Sequence, residues 1–306
     1  GTTYQVKIAP PPETSPTSLK ARIDQRLAAI NQGMSLYQAD SEINRINASD
    51  KGQVIVVSSD LGQVLQVTKR LHRVTGGALD PTVGPLVALW GFGRGEPRRN
   101  VPAAAEIEAA LAMVGFDYIE LIDRRRLRKR IAAVTLDLGA IAKGYGVDQV
   151  AALVAALPAT DFLVEIGGEV FAQGSSGLGQ PWRVGINQPE KGGRLDAVHA
   201  VVTLDGNCLA TSGDYRQFFE IDGSTYSHVI DPVSGTPVAN GVVSASVVAP
   251  NCTLADGLAT ALMVMGPDRA KALEGRFADV QWLLIQRDRD GLLVDLPSSG
   301  WPGQGG

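Results

Sequence analysis

The chain has 306 residues, 44% of them apolar, and its 28 lysines and arginines against 32 aspartates and glutamates give a net charge of −4. This length allows one large domain or two ordinary ones with a sizeable core. The mild acidity argues against a nucleic-acid partner, whose binding surface would be basic, and there is no run of about 18 apolar residues to span a bilayer.

Two cysteines, Cys208 and Cys252, are too few for a disulfide framework. They could pair in an oxidising compartment, but buried free cysteines are also common, so both states stay open. The chain begins at Gly1 instead of a methionine, and we therefore expect a processed chain whose targeting segment has been removed.

The first third of the chain alternates strands and helices. Residues 2–8 predict a strand, prolines interrupt residues 10–16, and the apolar spacing after Ser18 predicts a helix to about residue 30. Tyr37 follows, either as a half-buried core side chain, the commoner role, or as a stacking surface for an aromatic ligand. Residues 40–47 predict a short polar helix or turn.

Residues 54–57 predict a strand, and residues 60–74 predict a helix ended by Gly76 and Gly77, as left-handed helix ends require. Asp80 precedes a proline, which keeps it extended or in a turn. Its carboxylate is therefore available either as a cap or as a ligand contact.

Residues 94–105 predict a surface loop, and residues 104–114 a helix. The basic run at 124–130 predicts a solvated hairpin between strands at 118–122 and 131–136. It has no interleaved aromatic residues, which argues again against nucleic acid.

Residues 134–148 predict a buried strand, a glycine-lined turn and the start of a helix that continues to about residue 157. Asp137 and Lys143 lie on this predicted turn. Because a helix start presents free N–H groups and a positive dipole end, the segment suggests a site for an anion such as phosphate.

Residues 161–174 predict two strands joined at Gly167 and Gly168, where a ligand or a backbone could approach closely. Strands at 182–186 and 197–204 follow, then a hairpin that turns at residues 222–223. His228 lies in a Ser-His-x-x-Asp-Pro segment with Asp231; a single histidine is more often structural than catalytic.

A strand is predicted at 242–248 and a helix at 251–265. Asp256 and Thr260 are four residues apart on this helix, so their oxygens share one face. A cation is a natural partner for such a carboxylate, although the dipole near a helix start would also favour it. A further helix, a strand pair and a flexible tail or tag remnant at 297–306 complete the prediction.

Six segments, in this order, resemble the ApbE family, the FAD:protein FMN transferases. They are ALDPTVGPLVALWGF at 78–92, LDLGAIAKGY at 136–145, IGG at 166–168, TSGDYR at 211–216, YSHVIDPVSG at 226–235 and ADGLATALMVMG at 255–266. The resemblance extends from Gly1 to about Gly266.

The resemblance implies an α+β fold of two lobes, with mixed or antiparallel sheets flanked by helices and FAD in the cleft between the lobes. It implies a single transferase domain over 1–296. The implied reaction is Mg²⁺-dependent transfer of FMN from FAD to a Ser or Thr hydroxyl of a target protein, with release of AMP. The implied target is a membrane-associated electron-transfer subunit. The implied location is the periplasm, with the full-length protein held at the inner membrane as a lipoprotein by an N-terminal anchor that this chain lacks.

The resemblance also implies roles for individual residues. Contacts to FAD are expected from Tyr37, Ala78, Leu79, Asp80, Asp137, Lys143, Gly167, Ser212, His228 and Ile230. Magnesium ligands are expected from the backbone carbonyl of Ala140 and the side chains of Asp256 and Thr260. Lys143 is expected to stabilise negative charge during the reaction, and His228 and Asp231 are alternative bases for the acceptor hydroxyl. The family often has a methionine before the opening Gly-Thr-Thr; here that flavin contact is missing.

Two other functions remain open at this point. One is an Mg²⁺-dependent FAD pyrophosphatase, in which water attacks in place of a protein hydroxyl. The other is a flavin-binding or flavin-storage protein without turnover. Asp137, Lys143, Asp256 and Thr260 favour turnover, since a storage protein would not need a metal site.

Overall fold

The computed structural model of the chain describes residues 2–9, 15–93, 100–158, 160–177, 179–190, 197–216, 218–221 and 223–305. The helices of this part are α1 (Pro16–Met34), α2 (Glu42–Asn47), α3 (Ser59–Val74), α4 (Gly84–Leu89), α5 (Ala104–Leu111), α6 (Ala142–Ala155) and α7 (Cys252–Lys271). None of these described helices is both long and apolar enough to cross a bilayer.

The strands of the described part are β1 (Tyr4–Ala9), β2 (Ile55–Val56), β3 (Ile119–Leu121), β4 (Arg126–Lys129), β5 (Asp161–Ile166), β6 (Glu169–Gln173), β7 (Trp182–Asn187), β8 (Val198–Leu204), β9 (Asn207–Gly213), β10 (Phe218–Ile221), β11 (Ser224–Ser227), β12 (Val242–Ala249), β13 (Gln281–Arg287), β14 (Leu293–Pro297) and β15 (Gln304–Gly305). The largest sheet of the described residues has the order β1-β5-β6-β9-β12-β13-β14, with antiparallel neighbours. Smaller antiparallel groups are β15-β8-β7, β2-β4-β3 and the β10-β11 hairpin.

The large sheet is covered on both faces. Helices α1, α3, α6 and α7 share the main apolar core with it, and the β15-β8-β7 sheet packs on the opposite face. All eight residues of β12 are buried, because this central strand has a layer on each side. A separate small core joins α4 and α5 to the β10-β11 hairpin. The fold is thus α+β with antiparallel sheets, as the resemblance implies.

Several local predictions are confirmed with small shifts of their ends. Helix α1 begins at Pro16, earlier than the Ser18 cap that was predicted. Gly76 and Gly77 have φ of +61° and +84°, so the end of α3 is left-handed as predicted. Helix α7 is broken at Gly266, where φ is +69°, before Pro267. Of the predicted loop at 94–105, residues 94–99 lie outside the described part, as does residue 222 of the predicted hairpin turn.

The basic run is not the hairpin that was predicted. Its residues 126–129 form strand β4 itself, paired with β3 on one side and β2 on the other. Leu127 and Lys129 are buried while Arg126 and Arg128 are exposed, the alternation of a half-buried strand. The Lys129 ammonium donates to the Asn47 carbonyl at 2.9 Å, at the end of α2. The inward lysine therefore has a helix-end partner, which a composition count does not reveal.

The strands predicted at 131–136 and at the start of 134–148 are absent from the described residues there. The backbone of Leu136 bonds instead with the Asn47 side chain, whose oxygen accepts from Leu136 N at 2.7 Å and whose amide donates to Leu136 O at 2.9 Å. Asp137 N donates to the Pro81 carbonyl at 2.7 Å. A side-chain amide thus takes the place of a neighbouring strand, and this segment leads into α6.

Some elements had no counterpart in the sequence prediction. Helix α4 follows the Asp80 turn, and strand β9 occupies residues 207–213 at the middle of the large sheet. The segment for which a flexible tail was predicted lies against the protein in its described part: Pro297 ends β14, and Gln304 and Gly305 pair with Val201 and Ala200 of β8.

Candidate functional site

A cleft opens beside the start of α6 and consists of two adjoining cavities. One has a volume of about 340 Å³ and the other about 410 Å³. Val87, Asp137, Gly139 and Lys143 line both cavities, so the two meet at these residues. The cleft is therefore an elongated space with Asp137 and Lys143 at its middle.

Most of the residues predicted for the site lie on this cleft. The first cavity is lined by Ala78, Leu79, Asp80, Asp137, Ala140, Lys143, Ser212, His228, Ile230, Asp256 and Thr260 among others. The second is lined by Tyr37, Asp137 and Lys143 together with Phe92 and apolar residues of α1. The sequence segments that carry the family resemblance thus converge on one space, although they are far apart in the chain.

Gly167 and Asp231 do not line either cavity, but each has a local role. Gly167 has φ of +61°, and a Cβ there would lie 2.9 Å from the Thr2 hydroxyl oxygen and 3.2 Å from Cδ of Lys143, so the glycine leaves room for both side chains. The Asp231 carboxylate accepts from Val233 N at 2.9 Å in the turn after β11. The structure therefore places Asp231 in a turn and His228 at the cavity.

A charged cluster occupies the middle of the cleft. The Lys143 ammonium lies 3.2 Å from Asp256 Oδ1 and 3.2 Å from Glu169 Oε1. The Asp256 and Glu169 side chains are each 3% exposed. One lysine is therefore shared by two buried carboxyl groups, and its single positive charge balances only one of them when both are ionised.

Burial and mutual charge shift the pKa values of this cluster. Burial first and the Asp256 charge second raise the pKa of Glu169 to about 8, against the opposing effect of Lys143. Burial likewise raises the pKa of Asp256. For Lys143, burial favours the neutral amine, but the two carboxylates outweigh it and hold the pKa above its usual range.

The carboxylate of Asp256, a residue of α7, also lies against the start of α6. Gly144 N donates to Asp256 Oδ2 at 2.9 Å. The helix start that the sequence predicts as an anion site therefore already holds one anion, the carboxylate of Asp256. Asp137 is turned onto its own segment, where Oδ1 accepts from Gly139 N at 2.8 Å.

The close approach of α6 and α7 depends on glycine. A Cβ on Gly144 would lie 2.1 Å from the Cys252 carbonyl oxygen and 2.8 Å from Cβ of Asp256. Asp148, one turn further along α6, accepts from Cys252 N at 2.7 Å and Thr253 N at 2.9 Å. The second helix is thus capped by the first, which fixes Asp256 relative to Lys143.

The first residues of α7 are also bonded to the sheet. Cys208 of β9 and Cys252 of α7 form a disulfide with a Cα–Cα distance of 5.2 Å, so of the two states left open by the sequence the structure has the paired one. Ser212 comes four residues after Cys208, and Asp256 comes four residues after Cys252. Both residues line the first cavity. The hydroxyls of Ser212 and Thr260 are 3.1 Å apart.

The predicted magnesium ligands fit a hard cation by their chemistry. Ala140, Asp256 and Thr260 line the same cavity and offer carbonyl, carboxylate and hydroxyl oxygen, the donors that Mg²⁺ prefers. Oε2 of Glu169, on the same cavity, is buried without a hydrogen-bond partner. The described residues contain no group of three or more His, Cys, Asp or Glu side chains arranged for a metal. A cation here would therefore keep positions for phosphate oxygens or water.

Glu169 is the site residue that sequence reasoning missed. The signal was present: β6 has the burial pattern of an apolar strand, and an acid at its first position is unusual. The two glycines before it drew the interpretation toward backbone approach. Its contact with Lys143 is made between segments that the sequence alone does not bring together.

Asp80 lines the cavity, but its carboxylate is already bonded to the protein. Oδ1 accepts from Thr82 N at 2.8 Å and from the Thr82 hydroxyl at 2.5 Å, and Oδ2 accepts from Phe116 N at 3.1 Å. His72 lies 3.6 Å from the same carboxylate. The structure shows the capping role of Asp80, and its contact with FAD stays a prediction.

A stack of aromatic side chains lies beside His228, and its member Phe92 lines the second cavity. Trp90, Tyr226, Phe219 and Phe92 stack in succession with ring centroids 5.2–5.5 Å apart, and the edge of His228 meets Phe92 at 6.3 Å. Tyr37, which lines the second cavity, is 86% exposed. The structure therefore excludes the half-buried core role for Tyr37.

The chain is similar to known proteins over most of its length. The model of the ApbE family matches residues 1–284. A Vibrio cholerae protein named FAD:protein FMN transferase is 41% identical over 303 residues, covering 99% of this chain and 90% of its own length. A Haemophilus influenzae protein of the same name is 40% identical over 294 residues, covering 94% and 85%.

Solved structures are similar as well. The flavin transferase ApbE from Vibrio cholerae superposes with a TM-score of 0.87 at 39% identity, covering 98% of this chain and 94% of the other. The apo form of the flavinyl transferase ApbE from Pseudomonas stutzeri has a TM-score of 0.86 at 35% identity, covering 97% and 91%.

Proposed function

The chain belongs to the ApbE family, and on that premise we propose that it transfers FMN from FAD to a Ser or Thr hydroxyl of a target protein and releases AMP. The observation that carries the proposal is the pair of cavities that meet at Lys143 and Asp137. FAD is two aromatic halves joined by a pyrophosphate. Each half would occupy one cavity, with the pyrophosphate at the charged middle.

Tyr37 and Phe92 make the second cavity suitable for a flat aromatic ring, with Phe92 at one wall and the exposed Tyr37 at the rim. The first cavity has Ala78, Leu79 and Ile230 as apolar lining. By the resemblance Tyr37 packs on the flavin, and His228 and Ile230 lie near the flavin and its phosphates, so we place the flavin in the second cavity with its phosphate beside the first. The adenosine half would then lie in the first cavity.

The charged cluster would act on the pyrophosphate. Lys143 supplies a fixed positive charge where negative charge grows on the leaving phosphate. Mg²⁺, held by Ala140, Asp256 and Thr260, would neutralise the pyrophosphate oxygens and make the phosphorus a better electrophile. Because little covalent chemistry falls to the protein in such a transfer, orientation and charge are the main contributions of these residues.

The acceptor hydroxyl must lose its proton as its oxygen bonds to the phosphorus of the FMN half. The bond from that phosphorus to the bridging oxygen breaks, and the electron pair leaves with AMP. His228, on the cavity wall, is the base we propose. Asp231, the alternative, has its carboxylate in a turn and is proposed only to fix the segment that carries His228.

We further propose that the protein works outside the cytoplasm, in the periplasm, attached to the inner membrane as a lipoprotein in its full-length form. The disulfide between Cys208 and Cys252 supports an oxidising compartment. A membrane-associated electron-transfer subunit as the target is an expectation from the family.

One experiment separates this function from its two alternatives. The protein is incubated with FAD and Mg²⁺, with and without an acceptor domain, and the acceptor mass and the released AMP are followed. Addition of the FMN mass to the acceptor supports transfer, and AMP without acceptor supports a pyrophosphatase. FAD bound without any AMP in either condition would support storage and refute both enzymatic functions.

A further inference from the structure

Glu169 has an unusual environment for an acid. It is the first residue of β6, its side chain is 3% exposed, and it lies on the first cavity. Among the described buried side-chain atoms without a hydrogen-bond partner, Glu169 Oε2 is the one that belongs to an ionisable group. Burying such an atom without a partner destabilises the folded protein, and we therefore explain Glu169 by a role in the cleft.

Lys143 is the group that connects Glu169 to the rest of the site. Its ammonium is equally far, 3.2 Å, from the nearest oxygens of Glu169 and Asp256. Its stem runs past Gly167, two residues before Glu169. The β5-β6 hairpin therefore both guides the lysine and supplies one of its two anionic partners.

A divalent cation on Asp256 changes this balance. The ammonium and the cation carry like charge and compete for the same carboxylate, so Lys143 must move away from Asp256 when the cation binds. Glu169 is its other acidic neighbour among the described residues. The lysine would then stay in the cleft, on Glu169, instead of leaving it.

We propose that Glu169 is a positioning residue that holds Lys143 beside the pyrophosphate while Asp256 binds Mg²⁺. This inference rests on the proposed function, because it assumes the cation at Asp256. It assigns Glu169 an action through Lys143 and not a bond to the metal. In the cation-free protein Lys143 lies between both acids; in the loaded protein its partner is Glu169.

The test measures Mn²⁺ as the probe for Mg²⁺, with dissociation constants from electron paramagnetic resonance on the full chain without FAD. Wild type is compared with E169Q, K143M and the double variant K143M/E169Q. In E169Q the lysine has Asp256 alone as its partner and competes harder, so Mn²⁺ binding should weaken about tenfold. In K143M the competitor is gone, and binding should equal or exceed that of wild type.

The double variant separates the two roles that Glu169 could have. If Glu169 acts through Lys143, K143M/E169Q should bind Mn²⁺ within about twofold of K143M. An equal loss from E169Q in both backgrounds would mean that Glu169 binds the cation directly and would overturn the inference. Unchanged binding in E169Q itself would overturn it as well.

Two controls keep the result interpretable. E274Q removes an exposed acid on the far end of the α7 region and should bind Mn²⁺ as wild type does. E169D keeps the charge and should recover most of the affinity lost in E169Q; if E169D binds as weakly as E169Q, packing and not charge is responsible, and the inference fails. Equal Mn²⁺ binding by wild type and D256A would instead refute the metal site of the proposed function.

Discussion

Replacing Gly144 by alanine should separate the two helices that carry the charged cluster. The added Cβ would lie 2.1 Å from the Cys252 carbonyl oxygen, 2.5 Å from its carbon and 2.8 Å from Cβ of Asp256. The first two are backbone atoms of a capped and disulfide-bonded helix start, so they cannot give way by rotating a side chain. Helix α6 or α7 must shift instead.

The size of the effect follows from three contributions. Overpacking of this kind costs about 1–3 kcal/mol. A shift also weakens the bond from Gly144 N to the Asp256 carboxylate, a charged hydrogen bond of about 1.5–3 kcal/mol. Alanine returns up to about 1 kcal/mol of helix propensity. We therefore expect a net loss of about 2–4 kcal/mol, and a fall in Tm of about 4–8 °C.

Gly146 provides the matched control, two residues further along the same helix. A Cβ there would lie 3.4 Å from Cδ1 of Ile166, an ordinary contact, so G146A should be neutral or stabilise by up to about 1 kcal/mol. Both variants would be unfolded in urea without reductant and without divalent cations. If G144A unfolds at the same urea concentration as G146A or higher, the close helix contact does not exist as described.

Four further outcomes are expected. Asp256→Ala should abolish Mg²⁺-stimulated AMP release while the far-ultraviolet circular dichroism is retained; unchanged turnover would remove Asp256 from the metal site. Reduction of the disulfide, or Cys208→Ser with Cys252→Ser, should cost about 4 kcal/mol from the entropy of a 44-residue loop, and an unchanged urea midpoint would count against it. The pKa of Glu169 in the folded protein is about 8, above its ordinary value of 4.5, so between these pH values the folded protein holds a proton that the unfolded chain has lost. The contribution of this proton to the free energy of unfolding is complete below pH 4.5 and is lost as the pH rises through 8. In the cation-free protein Tm should therefore fall over that window, and Glu169→Gln should flatten the slope; an equally steep fall in that variant would assign it to other groups. Asn47→Ala removes two hydrogen bonds from the segment before α6 and should weaken FAD binding, measured by fluorescence quenching. Far-ultraviolet circular dichroism again serves as the control for folding. Wild-type affinity would show that the segment holds its position without these two bonds.

The sequence predicts the order of the site segments well because each segment is a pattern of residues close together in the chain. Glycines at a helix end, an aspartate before a proline, and an acid and a hydroxyl one helical turn apart are all short-range patterns. The structure brings these segments to one cleft. What local patterns do not contain is the pairing between them.

Glu169 and Asp80 illustrate the two ways in which that limit acts. Glu169 follows a glycine pair that indicates only a close backbone approach, and its partner Lys143 is 26 residues away in the chain. Asp80 has a distinctive setting, yet its oxygens are bonded to Thr82 and Phe116. The sequence identifies a polar residue at a turn; only the three-dimensional neighbours decide whether its carboxylate faces a ligand or the backbone.

The region after residue 130 shows the same limit for secondary structure. Its apolar run looks like a strand, but the hydrogen bonds of Leu136 and Asp137 are with the Asn47 side chain and the Pro81 carbonyl. Conversely, Lys129 looks solvated in a run of arginines and is buried under the end of α2. Backbone bonding partners in both cases come from distant segments, where no periodicity can indicate them.

The bonds at the start of α7 have a consequence for how the cleft could open. The disulfide joins that helix to β9, and the hydrogen bonds of Asp148 join it to α6. One wall of the cleft is therefore fixed by both kinds of bond within one turn of Asp256. The opposite wall rests on the small core of α4, α5 and the β10-β11 hairpin, which is separate from the main core. A hinge that admits a dinucleotide would therefore lie on the aromatic side. We expect amide hydrogen exchange to be faster there, while the backbones of α6 and α7 keep their spacing through a catalytic cycle.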